Sequence, residues 1–150
     1  MPVKIGALIF LLWSILHIWV GFEGLTGFFS GDPKFALAGL VGGVNVPKES
    51  FEFPSDPNLI KAISHLILNF TIDVGGYGVL GLFVAYQLWT RSSWKAYFLG
   101  FVIIGIADMA FLFSMVVPGV IALNFATVIG PILWFVAVVI TPFGMNYKNK

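Results

Sequence analysis

Four apolar segments, each long enough to cross a lipid bilayer, take up most of this sequence. They run over residues 5–29, 59–89, 96–117 and 120–142, and a bilayer core needs about 20 apolar residues in helical form. Hydrocarbon cannot pair exposed backbone groups, so such segments cross it as helices. The sequence therefore predicts an all-α, polytopic membrane protein, with one domain over residues 1–150 built as a four-transmembrane-helix bundle.

Composition supports this class and excludes several others. The chain is 59% hydrophobic and 10% charged, whereas soluble domains are about half apolar and about a quarter charged. The formal charge of +1 offers no basic surface for a nucleic acid, so we expect no such partner. Cysteine is absent, which excludes disulfides, Cys-ligated metals and the dithiol chemistry of some four-helix membrane enzymes.

Lysine and arginine indicate the orientation of the spans. One side carries only basic residues on its short flanks, namely Lys4, Arg91, Lys95, Lys148 and Lys150. The other side mixes three lysines with four acids. The positive-inside rule then predicts a multi-pass protein of an inner or plasma membrane with both termini in the cytoplasm.

The connections between the spans differ in length. A long outer loop over residues 30–58 joins the first two helices, and FALAGLVGGVNV within it is typical of a short interfacial or re-entrant helix. Asp56, Pro57 and Asn58 are start signals for the second helix. Pro118 and Gly119 in VVPGV predict a tight turn between the third and fourth helices.

The second apolar segment carries three polar residues at a helical spacing. His65, Asn69 and Asp73 are each four residues apart in SHLILNFTIDVGGYGVLG, so they lie on one helix face. Lipid satisfies neither an imidazole nor a carboxyl, and we therefore expect this face to turn inward.

Other helices offer polar partners at similar depths. At 1.5 Å per residue, His17 and Asp108 lie about 15 Å from the outer helix ends, and Asn124 about 7 Å. We therefore expect one pocket that opens outward, with Asp73 at its floor.

Site roles follow from residue type. The predicted catalytic residues are His17, His65, Asp73 and Asp108, because an imidazole and a desolvated carboxyl both titrate near neutral pH. The predicted substrate-binding residues are Asn69, Asn124, Glu23, Trp13 and Tyr77. The simpler alternative is that the histidines and asparagines only link helices, and that Glu23 is a solvated helix end.

Two stretches of the chain form a recognisable pair: SILHIWVGFEGLTGF in the first helix and IDVGGYGVLGLFVAYQLWTR in the second, which has an acid, glycines and a threonine-arginine corner. Both are similar to the corresponding helices of the DoxX-like family of small membrane proteins. Asp73 stands where the family usually has glutamate, and the usual arginine before the first helix is missing. The resemblance implies four helices with both ends inside, and similarity to subunits of quinone-linked or other membrane redox systems.

Three functions are compatible with these residues. The first is a membrane enzyme, an isomerase, cyclase or oxidoreductase, that acts on a small lipid, isoprenoid or quinone-like substrate by His/Asp acid-base chemistry. The second is a b-type haem protein with His17 and His65 as axial ligands. The third is a non-catalytic subunit or binding module of a membrane redox complex. The expected partners are the lipid bilayer, a lipophilic small molecule, and either further copies of the chain or a larger membrane complex. His17, His65 and Asp108 together would suit zinc or iron, but no local ligand motif supports a metal site.

Overall fold

The computed structural model describes residues 1–32, 34, 37 and 39–145. Within these residues, four helices are long and apolar enough to cross a membrane: α1 Pro2–Phe29, α2 Pro57–Arg91, α3 Trp94–Val116 and α4 Phe125–Gly144. The all-helical class and the four apolar spans are confirmed. Of α4, the stretch Thr141–Gly144 is a 3-10 turn.

Helix α1 packs along α2 and also against α4. Small residues bring α1 and α2 together, since a Cβ atom added to Gly21 would lie 2.7 Å from the Gly75 Cα atom. A Cβ atom on Gly78 would lie 2.8 Å from the backbone nitrogen of Ile18. Close backbone contact of this kind is the usual way in which helices associate in membranes.

The ends of α2 follow the local sequence. The Asp56 carboxylate accepts a hydrogen bond from the Asn58 backbone N–H at 3.0 Å, and Pro57 occupies the first turn. These are the start signals that the sequence predicts. At the other end, Ser92 adopts a left-handed conformation (φ 47°) and stops the helix.

Helix α3 is not a regular α-helix. Two π-helical stretches, Gly100–Ile104 and Leu112–Val116, flank the α-helical segment Gly105–Phe111. A π-helical turn is wider than an α-helical one because its hydrogen bonds join residues five apart, and such turns often occur at functional sites. Asp108 lies in the segment between them.

The turn between α3 and α4 forms as expected, but α4 begins later than residue 120. Gly119 has a φ of 71°, which glycine adopts without a steric penalty. The Asn124 side chain accepts from the Thr127 N–H at 3.1 Å, and the Thr127 hydroxyl accepts from the Asn124 N–H at the same distance. This capping box fixes the helix start at Phe125.

Part of the segment between α1 and α2 rests on that turn. The backbone N–H of Gly43 donates to the Val120 carbonyl, and the backbone N–H of Asn45 donates to the Gly119 carbonyl, both at 2.9 Å. The Asn45 side chain also donates to the Pro118 carbonyl at 2.7 Å. The predicted re-entrant helix falls partly on residues outside the described part; among its described residues, Gly43 and Val46 pair in a tight turn.

Candidate functional site

Three of the predicted site residues, Trp13, His17 and Asp108, meet in the core. The Trp13 indole Nε1–H donates to Asp108 Oδ2 at 2.8 Å. His17 Nε2 lies 3.5 Å from Asp108 Oδ1. The rings of Trp13 and His17, one turn apart on α1, stack with centroids 3.6 Å apart and planes 20° apart.

The two ring nitrogens of His17 have different neighbours. His17 Nδ1 is 2.8 Å from the Trp13 backbone carbonyl oxygen, and a carbonyl can only accept, so Nδ1 donates this hydrogen bond. Nε2 lies 3.5 Å from Asp108 Oδ1, which makes an ion pair whenever the imidazole is protonated. An imidazole beside a carboxyl group is a combination that acid-base chemistry uses.

Asp108 is buried, whereas His17 is partly accessible. Asp108 is 3% exposed, whereas the His17 side chain is 20% exposed. The Asp108 carboxyl is therefore surrounded by protein groups, and part of the His17 side chain remains accessible from outside the protein.

Two glycines make room for this cluster. A Cβ atom on Gly130 of α4 would lie 2.9 Å from His17 Cε1. A Cβ atom on Gly105 of α3 would overlap with the Trp134 ring. Trp134 in turn donates to the Gly100 carbonyl at 3.1 Å, inside the first π-helical stretch. The α3 backbone around Asp108 is thus fixed from α4.

The structure does not bring His65, Asn69 and Asp73 to this cluster. All three are exposed, and the expectation that their face turns inward is wrong, because α2 uses its opposite, glycine-rich face to pack on α1. Asp73 is accordingly not the floor of a pocket shared with His17 and Asp108. The Asn69 side chain donates to Asp73 Oδ2 at 3.1 Å, and the His65 ring meets Phe28 edge-on at 5.5 Å.

This placement is incompatible with a haem held by His17 and His65. His65 lies beside Phe28, which is eleven residues, or about 16 Å of helix, away from His17 on α1. His17 is also engaged through both of its ring nitrogens. The two imidazoles therefore cannot face one iron, and a metal set of His17, His65 and Asp108 is not assembled either. Among the described residues no group of three or more His, Cys, Asp or Glu side chains could hold a metal ion.

The remaining predicted residues have other surroundings. Asn124 is engaged in the cap of α4, and Glu23 is exposed towards the end of α1. Tyr77 packs, partly buried, against the hydrophobic core. Trp13, predicted to contact substrate, is fully buried and supports Asp108 instead.

Sequence reasoning missed Gly130, Gly105 and the π-helical stretches. The glycines differ in no visible way from the other small residues of the chain, which has 17 glycines. Comparisons of the chain with protein-family models, curated proteins and solved structures found no match. The resemblance to the DoxX-like family stays a prediction.

Proposed function

We propose that the chain is an integral membrane enzyme that moves protons on a small lipophilic substrate, with His17 and Asp108 as its acid-base pair. The four apolar helices span the bilayer, both termini lie in the cytoplasm, and the segment between α1 and α2 forms an outer loop. A substrate reaching this depth must be soluble in hydrocarbon, which favours a lipid, an isoprenoid or a quinone-like molecule.

The single observation that carries the proposal is the 3.5 Å approach of His17 Nε2 to Asp108 Oδ1 in the helical core. Ionisable side chains inside membrane spans are costly, and they usually mark sites of function. The His17 side chain is 20% exposed, and its Nε2 exchanges a proton with substrate by turning from Asp108 Oδ1 towards it. Asp108 orients the imidazole, and Trp13 holds the carboxyl in place.

Deuterium incorporation tests the proposal without knowledge of the substrate. The purified protein is incubated in D2O with lipids extracted from its source membrane, and the lipids are analysed by mass spectrometry. The wild-type protein should place deuterium on carbon in one lipid class, and Asp108→Asn should reduce the rate at least about 100-fold, as loss of an acid-base group does. The asparagine still accepts from Trp13, so the fold should persist.

Glu49→Gln is the matched control, because it removes one carboxylate from an exposed turn. It should incorporate deuterium at the wild-type rate. Equal incorporation by Asp108→Asn, or none by the wild-type protein, would remove the case for catalysis.

The second candidate is a non-catalytic subunit or binding module of a membrane complex. It is favoured by the exposed polar face of α2, on which Asn69 and Asp73 hydrogen-bond only to each other among the described residues. The subunit interpretation would be supported if the wild-type protein incorporates no deuterium and is isolated in mild detergent as part of a stable larger assembly.

A further inference from the structure

Helix α2 presents a polar face on the side away from the rest of the bundle. Asn69 and Gly78 are nine residues apart, or about two and a half turns, so Asn69 points directly away from the Gly78 face that packs on α1. His65, Asp73 and Gly76 lie on the Asn69 side, and all are exposed. Of these residues, His65 lies at the border of the face, where its ring meets Phe28 of α1 edge-on at 5.5 Å.

This polar face lies in the middle of α2. Asp73 is about 24 Å along the helix from Pro57 and about 27 Å from Arg91, so it falls at the centre of a bilayer that α2 spans. The closest basic residue on its own helix, Lys61, is about 18 Å away. Asn69 satisfies only one carboxyl oxygen of Asp73, and Oδ1 accepts no hydrogen bond from the described residues.

Hydrocarbon cannot cover such a face. Exposing an unpaired amide or carboxyl to acyl chains costs several kcal/mol of transfer free energy for each group. Polar groups in membranes usually pair across helices instead. A partner must therefore supply polar groups at the same depth.

We propose that a second copy of this chain covers the face, in a parallel dimer whose two-fold axis runs along the membrane normal through the α2 pair. In such an interface each residue lies opposite its own copy at equal depth. An amide and an imidazole each donate and accept, so Asn69 and His65 can each pair with their own copy. The free Oδ1 of Asp73 can accept from the Asn69 amide of the second copy, and no lysine or arginine interrupts the face.

The steric profile of the face agrees. A Cβ atom on Gly76 would meet nothing within 4 Å, whereas Cβ atoms on Gly21 and Gly78 would clash with the neighbouring helix. Gly76 therefore leaves room for a helix from outside the chain, directly beside the polar residues.

Cysteine cross-linking in native membranes tests the dimer, because the chain has no cysteine of its own. Gly76→Cys should give a disulfide-linked species of twice the chain mass on mild oxidation. Ile106→Cys, at a position on α3 that is 62% exposed, is the control and should stay monomeric. Equal cross-linking of both variants would indicate random collision, and a cross-link from Gly76→Cys to a different protein would replace the second copy; either result would overturn the proposal.

A bulky substitution gives the second measurement. Gly76→Leu has space within the monomer but would block close approach of another α2, so light scattering in mild detergent should shift from a dimeric to a monomeric mass. Ala110→Leu, a similar enlargement at an exposed position of α3, should leave the dimer intact. A monomeric wild-type protein, or a dimer that survives Gly76→Leu, would refute the α2 interface whatever the role of His17 and Asp108.

Discussion

Gly130 determines how close α4 comes to the pair of His17 and Asp108. The nearest atoms to an added Cβ would be His17 Cε1 at 2.9 Å and His17 Nε2 at 3.4 Å. Even a methyl group therefore has to push the imidazole away from Asp108, or push α4 away from α1. Either movement weakens the contact between His17 and Asp108.

Gly130→Ala should accordingly destabilise the protein by about 1 kcal/mol, because overpacking of about 1–3 kcal/mol exceeds the gain in helix propensity of up to about 1 kcal/mol. Chemical unfolding in detergent, followed by circular dichroism, measures this change. Gly75→Ala is the control, since its Cβ would make an ordinary contact at 3.6 Å and should leave stability equal or higher. A Gly130→Ala protein as stable as the Gly75→Ala protein would contradict the tight contact.

At this scale the sequence identifies ionisable residues but not their neighbours. His17 and Asp108 stand out because they interrupt apolar helices, and they were predicted to meet. His65 and Asp73 stand out for the same reason, yet they lie elsewhere, because helical spacing shows that residues share a face and not what that face contacts. The opposite face of α2 carries Gly75 and Gly78 and packs closely on α1 near Gly21. This packing leaves His65 and Asp73 outside the core.

Among the elements, the helices and their start signals could be predicted, and the irregular stretches could not. Long apolar runs and the Asp56 cap leave few alternatives for α1 and α2. The late start of α4 depends on a side-chain capping box at Asn124. The π-helical stretches of α3 carry no distinct sequence pattern, and a contact such as the Trp134 bond to the Gly100 carbonyl is visible only in the structure.

The contact between the α1–α2 segment and the α3–α4 turn rests largely on Asn45. Asn45→Ala removes the bond to the Pro118 carbonyl, and we expect a loss of about 0.5–1.5 kcal/mol. Because the loss is local, hydrogen exchange at the Gly43 and Asn45 backbone amides should become faster by roughly threefold to tenfold. Ser50→Ala, which removes an exposed local bond, is the control. Unchanged exchange in Asn45→Ala would show that the backbone bonds alone hold the segment.

For the whole molecule, the remaining question is which end faces the cytoplasm. The start of α1 and the end of α2 lie at the same end, since Lys4 Nζ sits 5.0 Å from the Trp89 ring centroid. Arg91 and Lys95 adjoin that end in sequence, and Val44, 87% exposed, belongs to the segment at the opposite end. The positive-inside rule assigns the first end to the cytoplasm.

Single cysteines in this cysteine-free chain test the orientation on intact cells. A membrane-impermeant maleimide should label Val44→Cys at once, because the charge argument predicts that this position lies outside. It should label Thr90→Cys, exposed at the end of α2, only after the membrane is permeabilised. The reverse pattern would place the termini outside and overturn the charge argument, whereas the fold, the pair of His17 and Asp108, and the polar face of α2 would be unaffected. A substrate would then reach His17 from the opposite leaflet.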